Sequence, residues 1–129
     1  MVSRASAVLF VAALLLSCGA SEKAETPPDS VRVVMVNNSG QHLTKFALDY
    51  GLGRIQYEIF SMGYTFSDYA RVTGEQPLTV RYYDEAGVVH ELTIERPLKI
   101  DMIGGTYRLY FEKDNKIQAS FDFPRPKKN

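Results

Sequence analysis

The sequence predicts an all-β fold, a small antiparallel β-sandwich of seven or eight strands, and three observations carry that prediction. From Val31 to Phe123, apolar and polar residues alternate with a period of two almost throughout, the signature of half-buried strands. Gly, Asn and Asp interrupt the alternation at short intervals and leave little room for a helix of ordinary length. A chain of 129 residues holds one compact domain with short appendages. A single sheet would leave one apolar face in water, whereas two sheets packed face to face remove it.

The appendages come first. Arg4 precedes the apolar run Ala5–Leu16, which as a helix at ~1.5 Å per residue covers about 18 Å, well short of a ~30 Å hydrocarbon core. A basic start, a short apolar stretch and small residues at the exit describe an export signal over residues 1–17, and the stretch has neither the polar face nor the caps of a buried helix. Leu15-Leu16-Ser17-Cys18 then resembles the lipobox of bacterial lipoprotein precursors, with Leu three before the Cys and a small residue one before it. Leu16 stands where Ala or Ser is more usual. The resemblance covers the first eighteen residues and implies diacylglycerol transfer to the Cys18 sulfur, cleavage before Cys18 and acylation of the new amino group. Gly19 follows where an Asp would mark retention, which in Gram-negative lipoproteins implies the periplasmic face of the outer membrane. Ordinary cleavage after Ala20 would instead discard Cys18. Two or three acyl chains at ~0.8 kcal/mol per buried CH₂ anchor a protein stably, whereas one does not.

Residues 18–30 then form a tether. Ala20–Ser30 is polar, contains Pro27-Pro28 and has no large apolar residue, so it cannot bury a face. The domain proper runs over 31–123. Val31, Val33 and Met35 alternate with Arg32, Val34 and Val36, a strand apolar on both faces, before the turn Asn38-Ser39-Gly40. Phe46 and Leu48 oppose Lys45, Ala47 and Asp49. After Gly51-Leu52-Gly53, Ile55, Tyr57 and Ile59 oppose Arg54, Gln56 and Glu58, and Met62-Gly63 is the next corner. Tyr64–Val72 reads as a strand, although Ser67–Arg71 also suits one helical turn. Leu78, Val80 and Tyr82 oppose Thr79, Arg81 and Tyr83, then Asp84-Glu85-Ala86-Gly87 suits a hairpin loop with Gly left-handed. Val88, His90, Leu92 and Ile94 oppose Val89, Glu91, Thr93 and Glu95 until Pro97 ends the run. Beyond Gly104-Gly105, Tyr107, Leu109 and Phe111 oppose Arg108, Tyr110 and Glu112, and Asp114-Asn115 supply the turn. Ile117, Ala119, Phe121 and Phe123 close the domain as an uninterrupted apolar face, which the pattern assigns to the core.

Short connections point to hairpins and leave a Greek-key crossover open. The Cys–Trp–Cys hallmark of antibody domains is missing, so the fold is immunoglobulin-like in architecture only. Residues 124–129 form a basic tail in which Arg125, Lys127 and Lys128 suit lipid headgroups or anionic polymers.

Composition excludes several functions. Fifteen Lys and Arg balance fifteen Asp and Glu, which removes the basic stripe that nucleic acid requires. One Cys and two distant His provide no metal set, and no spacing calls for a cofactor. His90 lies on the apolar face of its strand with Glu91 on the other, so it reads as a structural histidine without a matched group. His42 reads as a solvated loop residue, Ser39 as a turn hydroxyl, and Asp84, Glu85 and Asp114 as hairpin tips without calcium-loop spacing. No catalytic residue is indicated. Tyr69, Tyr83 and Tyr110 are the candidate partner contacts, since exposed Tyr on a sheet stacks on sugars or anchors proteins at low entropy cost, or stabilises the sheet through cross-strand pairs. The expectation is a lipid-anchored, non-enzymatic envelope protein that binds another envelope protein or a cell-wall polymer. The alternative is a small periplasmic enzyme or enzyme inhibitor.

Overall fold

A computed structural model describes residues 27–124. The export signal, Cys18, most of the tether and residues 125–129 lie outside the described residues. Eight strands follow in order: β1 (Ser30–Asn37), β2 (Leu43–Asp49), β3 (Arg54–Phe60), β4 (Thr65–Arg71), β5 (Gln76–Tyr83), β6 (Val89–Leu98), β7 (Thr106–Phe111) and β8 (Ile117–Asp122). They form two four-stranded sheets, β4-β1-β7-β8 and β3-β2-β5-β6. The sandwich is therefore the predicted one, and Ser67–Arg71 belongs to β4 with no helical turn. Hairpins join β2 to β3, β5 to β6 and β7 to β8, while the other connections cross between the sheets.

One pairing departs from the antiparallel pattern. β1 runs parallel to β7, with Arg32 opposite Thr106 and Asn37 opposite Phe111. A hairpin cannot join parallel neighbours, so this pairing requires chain between them, here supplied by β2 to β6. Both strands are central, which explains why β1 is apolar on both faces. Val31, Val33 and Met35 are fully buried, and Val34 and Val36 lie half-buried on the outside.

The core lies between the sheets. Phe46 packs edge-on against Phe60 and Phe111 at ring separations of 5.1 and 5.2 Å, with Tyr107, Leu109, Leu48, Leu78 and Val80 around them. Parity breaks once. Leu43 and Phe46 both point inward because Lys45 adopts the left-handed conformation (φ 49°) and β2 carries an extra residue against β5 between Thr44 and Ala47. β3 follows its partner, with Leu43 opposite Phe60 and Phe46 opposite Tyr57. Ile59, expected in line with Ile55 and Tyr57, is consequently 56 % exposed, and Phe60 takes its place inside.

Two further expectations are corrected at the edges. Pro97 does not end β6, which continues to Leu98. β6 is an edge strand, bulged against β5 between Gln76 and Leu78, where a residue lacking N–H disturbs no ladder. β8 is also an edge strand, and its apolar face is only part of the core. Ile117 and Phe121 pack against the core from partly buried positions, Ala119 is exposed and Phe123 is 52 % exposed. Among the described residues no strand pairs with β8 beyond β7, and one side of that face is left open. The opposite edge is closed by aromatic rings, with Tyr57 stacked on Phe66 at 4.1 Å.

Two buried amides fasten the ends. Asn37, fully buried, donates through Nδ2 to the carbonyls of Phe60 (2.9 Å) and Gln41 (2.8 Å) and accepts at Oδ1 from Ser39 N–H and Ser39 Oγ–H. At the other end Gln76 donates to Tyr50 and Arg71 carbonyls and accepts from Thr73 N–H. Each thereby ties loops from both sheets. Among the described residues no buried side-chain polar atom lacks a partner.

Candidate functional site

Strand direction sorts the loops into two ends. The described chain enters at Pro27 and leaves at Pro124 at the same end, beside the β2–β3, β4–β5 and β6–β7 loops. The β1–β2, β3–β4, β5–β6 and β7–β8 loops gather at the far end. There, His42 N–H donates to Glu85 Oε1 and Glu85 N–H donates to Gln41 Oε1, so the first loop is laced to the β5–β6 hairpin. His42 is exposed, as expected, yet it is not merely solvated: its Nδ1 accepts Met62 N–H at 3.1 Å. Ile59, Met62 and Tyr64 form an exposed apolar corner beside it.

His90 does have a matched group. Its Nε2 lies 2.8 Å from Asp84 Oδ2, and since a carboxylate only accepts, Nε2 holds the proton. Tyr82 opposite His90 sets the hairpin register, which places Asp84 diagonally across on the same face. Asp84 Oδ1 also accepts Val88 N–H, and the His90 hydrogen bond, then the Val88 one, holds the carboxyl below its ordinary pKa. Burial, then the Asp84 charge, pushes the Tyr82 phenol up, and its hydroxyl donates to Asn115 Oδ1 at 2.9 Å. These partners are consumed in fastening the hairpin to the β7–β8 turn. Among the described residues no group of three His, Cys, Asp or Glu is placed to hold a metal ion, and no helix is long and apolar enough to cross a membrane.

The three candidate tyrosines do not share a surface. Tyr69 and Tyr110 lie on the outer face of the β4-β1-β7-β8 sheet, the first beside Arg32 and the second beside Val36, so they are four positions apart along β1. Tyr83 lies on the outer face of the other sheet, where side chains do converge. Ala47, the one small side chain that β2 turns outward between its bulge and its end, makes a floor. Register sets Gln56 on one side of Ala47 and Arg81 then Glu91 on the other. The next row is Arg54, Asp49, Thr79 and Thr93. Two depressions of about 470 and 430 Å³ share Ala47, Arg54 and Arg81 and run together as a shallow trough. The Lys45 ammonium stands 5.5 Å over the Tyr83 ring at its head, with Glu58 on the rim. Arg54 pairs loosely with Asp49 at 3.6 Å, whereas Lys45 and Arg81 make no ion pair with any described residue.

Sequence reading found Tyr83 but not its companions. Lys45, Arg54 and Arg81 are far apart in the chain, and only the β2 pairings bring them together.

No family model matches the chain, and no curated protein matches it. Among solved structures, the NMR structure of the protein from Eubacterium rectale is similar, with a TM-score of 0.54 and 10 % sequence identity over 78 % of this chain and 96 % of that one. At that identity the likeness concerns the fold alone.

Proposed function

We propose that the chain is the precursor of an exported, lipid-anchored envelope protein whose β-sandwich is a non-catalytic binding module for an envelope protein or a cell-wall polymer. The lipobox-like Leu15–Cys18 supports the anchor. The trough on the β3-β2-β5-β6 face carries the binding part of the reading, because among the described residues neither Lys45 nor Arg81 lies within ion-pair distance of the carboxylates around it, and both face away from the sheet that contains β1. Unpaired donors on a rigid sheet face bind and orient a partner, and reacting groups are not needed for that task.

Cross-linking in native envelopes tests the reading. Wild type should co-purify a defined protein or polymer fragment, and its N-terminal peptide should carry acylated Cys18 by mass spectrometry. Cys18→Ser should lose the lipid and release the domain from the membrane. An unmodified mature chain beginning at Ala20 or later would reject the anchor, and wild type that captures nothing above a control lipoprotein would reject the binding module.

A further inference from the structure

We propose that the trough over Ala47 is a site for an anionic glycan, a chain of sugars or polyols that carries spaced carboxylate or phosphate groups, with Lys45 and Arg81 holding the acid group. The proposal deepens the binding-module reading and rests on it.

Three observations converge. The first is the backbone at Lys45. A long side chain inside a strand rarely takes a left-handed φ, and such positions cluster where a bulge re-aims a side chain for a task. Here the bulge places the ammonium over the Tyr83 ring, whose quadrupole holds it in place. Tyr83 is thus a positioning residue, and the free side of the ammonium faces the trough. The second is the floor. Ala47 leaves a continuous shallow depression across a sheet whose other outward positions are mostly long, so an extended chain can lie along it. The third is the charge pattern. Arg81, free of ion pairs among the described residues, presents a planar fork suited to carboxylate or phosphate.

The rim selects among polyanions. Glu58, Glu91 and Asp49 surround the cations, so a nucleic-acid duplex, with one charge per ~1.7 Å of axis, would meet repulsion. A glycan meets the same carboxylates with hydroxyl donors, and its isolated acid groups fall to Lys45 and Arg81. Thr79 and Gln56 add neutral donors and acceptors along the floor.

Calorimetric titration of the exported domain tests this with three probes: an oligogalacturonate, a glycerol-phosphate oligomer and a neutral dextran fragment. One or both anionic oligomers should bind, more weakly as salt rises, and dextran should not. Which of the two binds separates carboxylate from phosphate as the source. Arg81→Gln should weaken binding about tenfold. Lys45→Gly should weaken it about as much without lowering Tm, since Gly accepts the left-handed φ freely. Arg32→Gln, on the opposite sheet, should leave it unchanged. Failure of both anionic oligomers to bind, equal binding of dextran, or equal losses for Arg32→Gln and Arg81→Gln would overturn the site. An envelope protein captured equally by wild type and Arg81→Gln would overturn it too, while leaving the binding-module reading in place.

Discussion

Gly105 precedes β7 in the ladder and lies beneath Phe121 of β8. A Cβ added there would fall 2.4 Å from Phe121 Cζ, 2.7 Å from Cε2 and 3.0 Å from the Asp122 carbonyl oxygen. Ordinary carbon–carbon contact is ~3.5–4.0 Å, so the ring must retreat by more than about 1 Å. The ring borders a surface depression and can yield in part, but its neighbours and the Asp122 backbone carbonyl resist a full retreat. Phe123 meets it edge-on at 4.9 Å, the Arg96 guanidinium stands 5.5 Å over its face, and Thr106 pairs with Asp122 beside it. Overpacking of this kind costs about 1–3 kcal/mol, offset by the ~0.4–1 kcal/mol that Ala takes from the unfolded chain's entropy. Gly105→Ala should therefore destabilise by about 1–2 kcal/mol and lower Tm by about 5–15 °C. Phe121→Ala alone, from a partly buried site, should cost about 1.5–2.5 kcal/mol. In the Phe121→Ala background, Gly105→Ala should become neutral or slightly stabilising, a coupling of about 1–3 kcal/mol in urea melts. Equal costs of Gly105→Ala in both backgrounds would refute the contact, as would no cost in wild type.

Asn37→Asp should cost about 3 kcal/mol at neutral pH, because a carboxylate oxygen then faces the carbonyls of Phe60 and Gln41. Its folded-state pKa rises, so the protein should recover stability as pH falls toward ~4 and lose it as pH climbs through the folded value, which pH-dependent melts would show. Asp84 has the opposite sign. Its lowered pKa contributes stability above the ordinary carboxylate range and loses it as pH falls through the folded value, so Asp84→Asn should flatten that acid limb. Phe60→Ala should cost about 3–5 kcal/mol, whereas Met62→Ser at the exposed corner should stay within about 0.5 kcal/mol in the same melts.

The central strands β1, β5 and β7, and β2 beyond its bulge, are legible because burial on the inner face imposes a strict period of two, and the same parity marks Asn37 after Met35 and Gln76 before Leu78 as inward-pointing. Both amides adjoin turns, so residue type alone does not single them out and only the alternation does. Asp84 was recoverable in the same way: once Gly87 closes the hairpin, the register places it diagonal to His90. Edge strands were less legible, since half of each inner face is wet, and the exposure of Phe123 and Ala119 has no signal in the alternation itself. Nor does anything in Leu43-Thr44-Lys45-Phe46 announce a left-handed Lys, because the residues that usually mark such a conformation are absent. The trough depends on that bulge and on pairings across four strands, so it became visible only with the register.

The parallel seam between β1 and β7 has a kinetic consequence. Arg32 and Thr106 are about 74 residues apart, whereas the β2–β3 and β5–β6 hairpins close over a few. Loop closure over the longer span costs about 2.6 kcal/mol more than over four residues. The two hairpins therefore form early, whereas β2–β5 and β1–β4 must close over about 30–40 residues and β1–β7 over the longest span. A nascent chain can pair β1 with β4 on one side, while the other side of β1 stays open until β7 has been synthesised. The seam is therefore the last contact to close, when the β7–β8 hairpin docks on β1 and brings Tyr107 and Leu109 into the core.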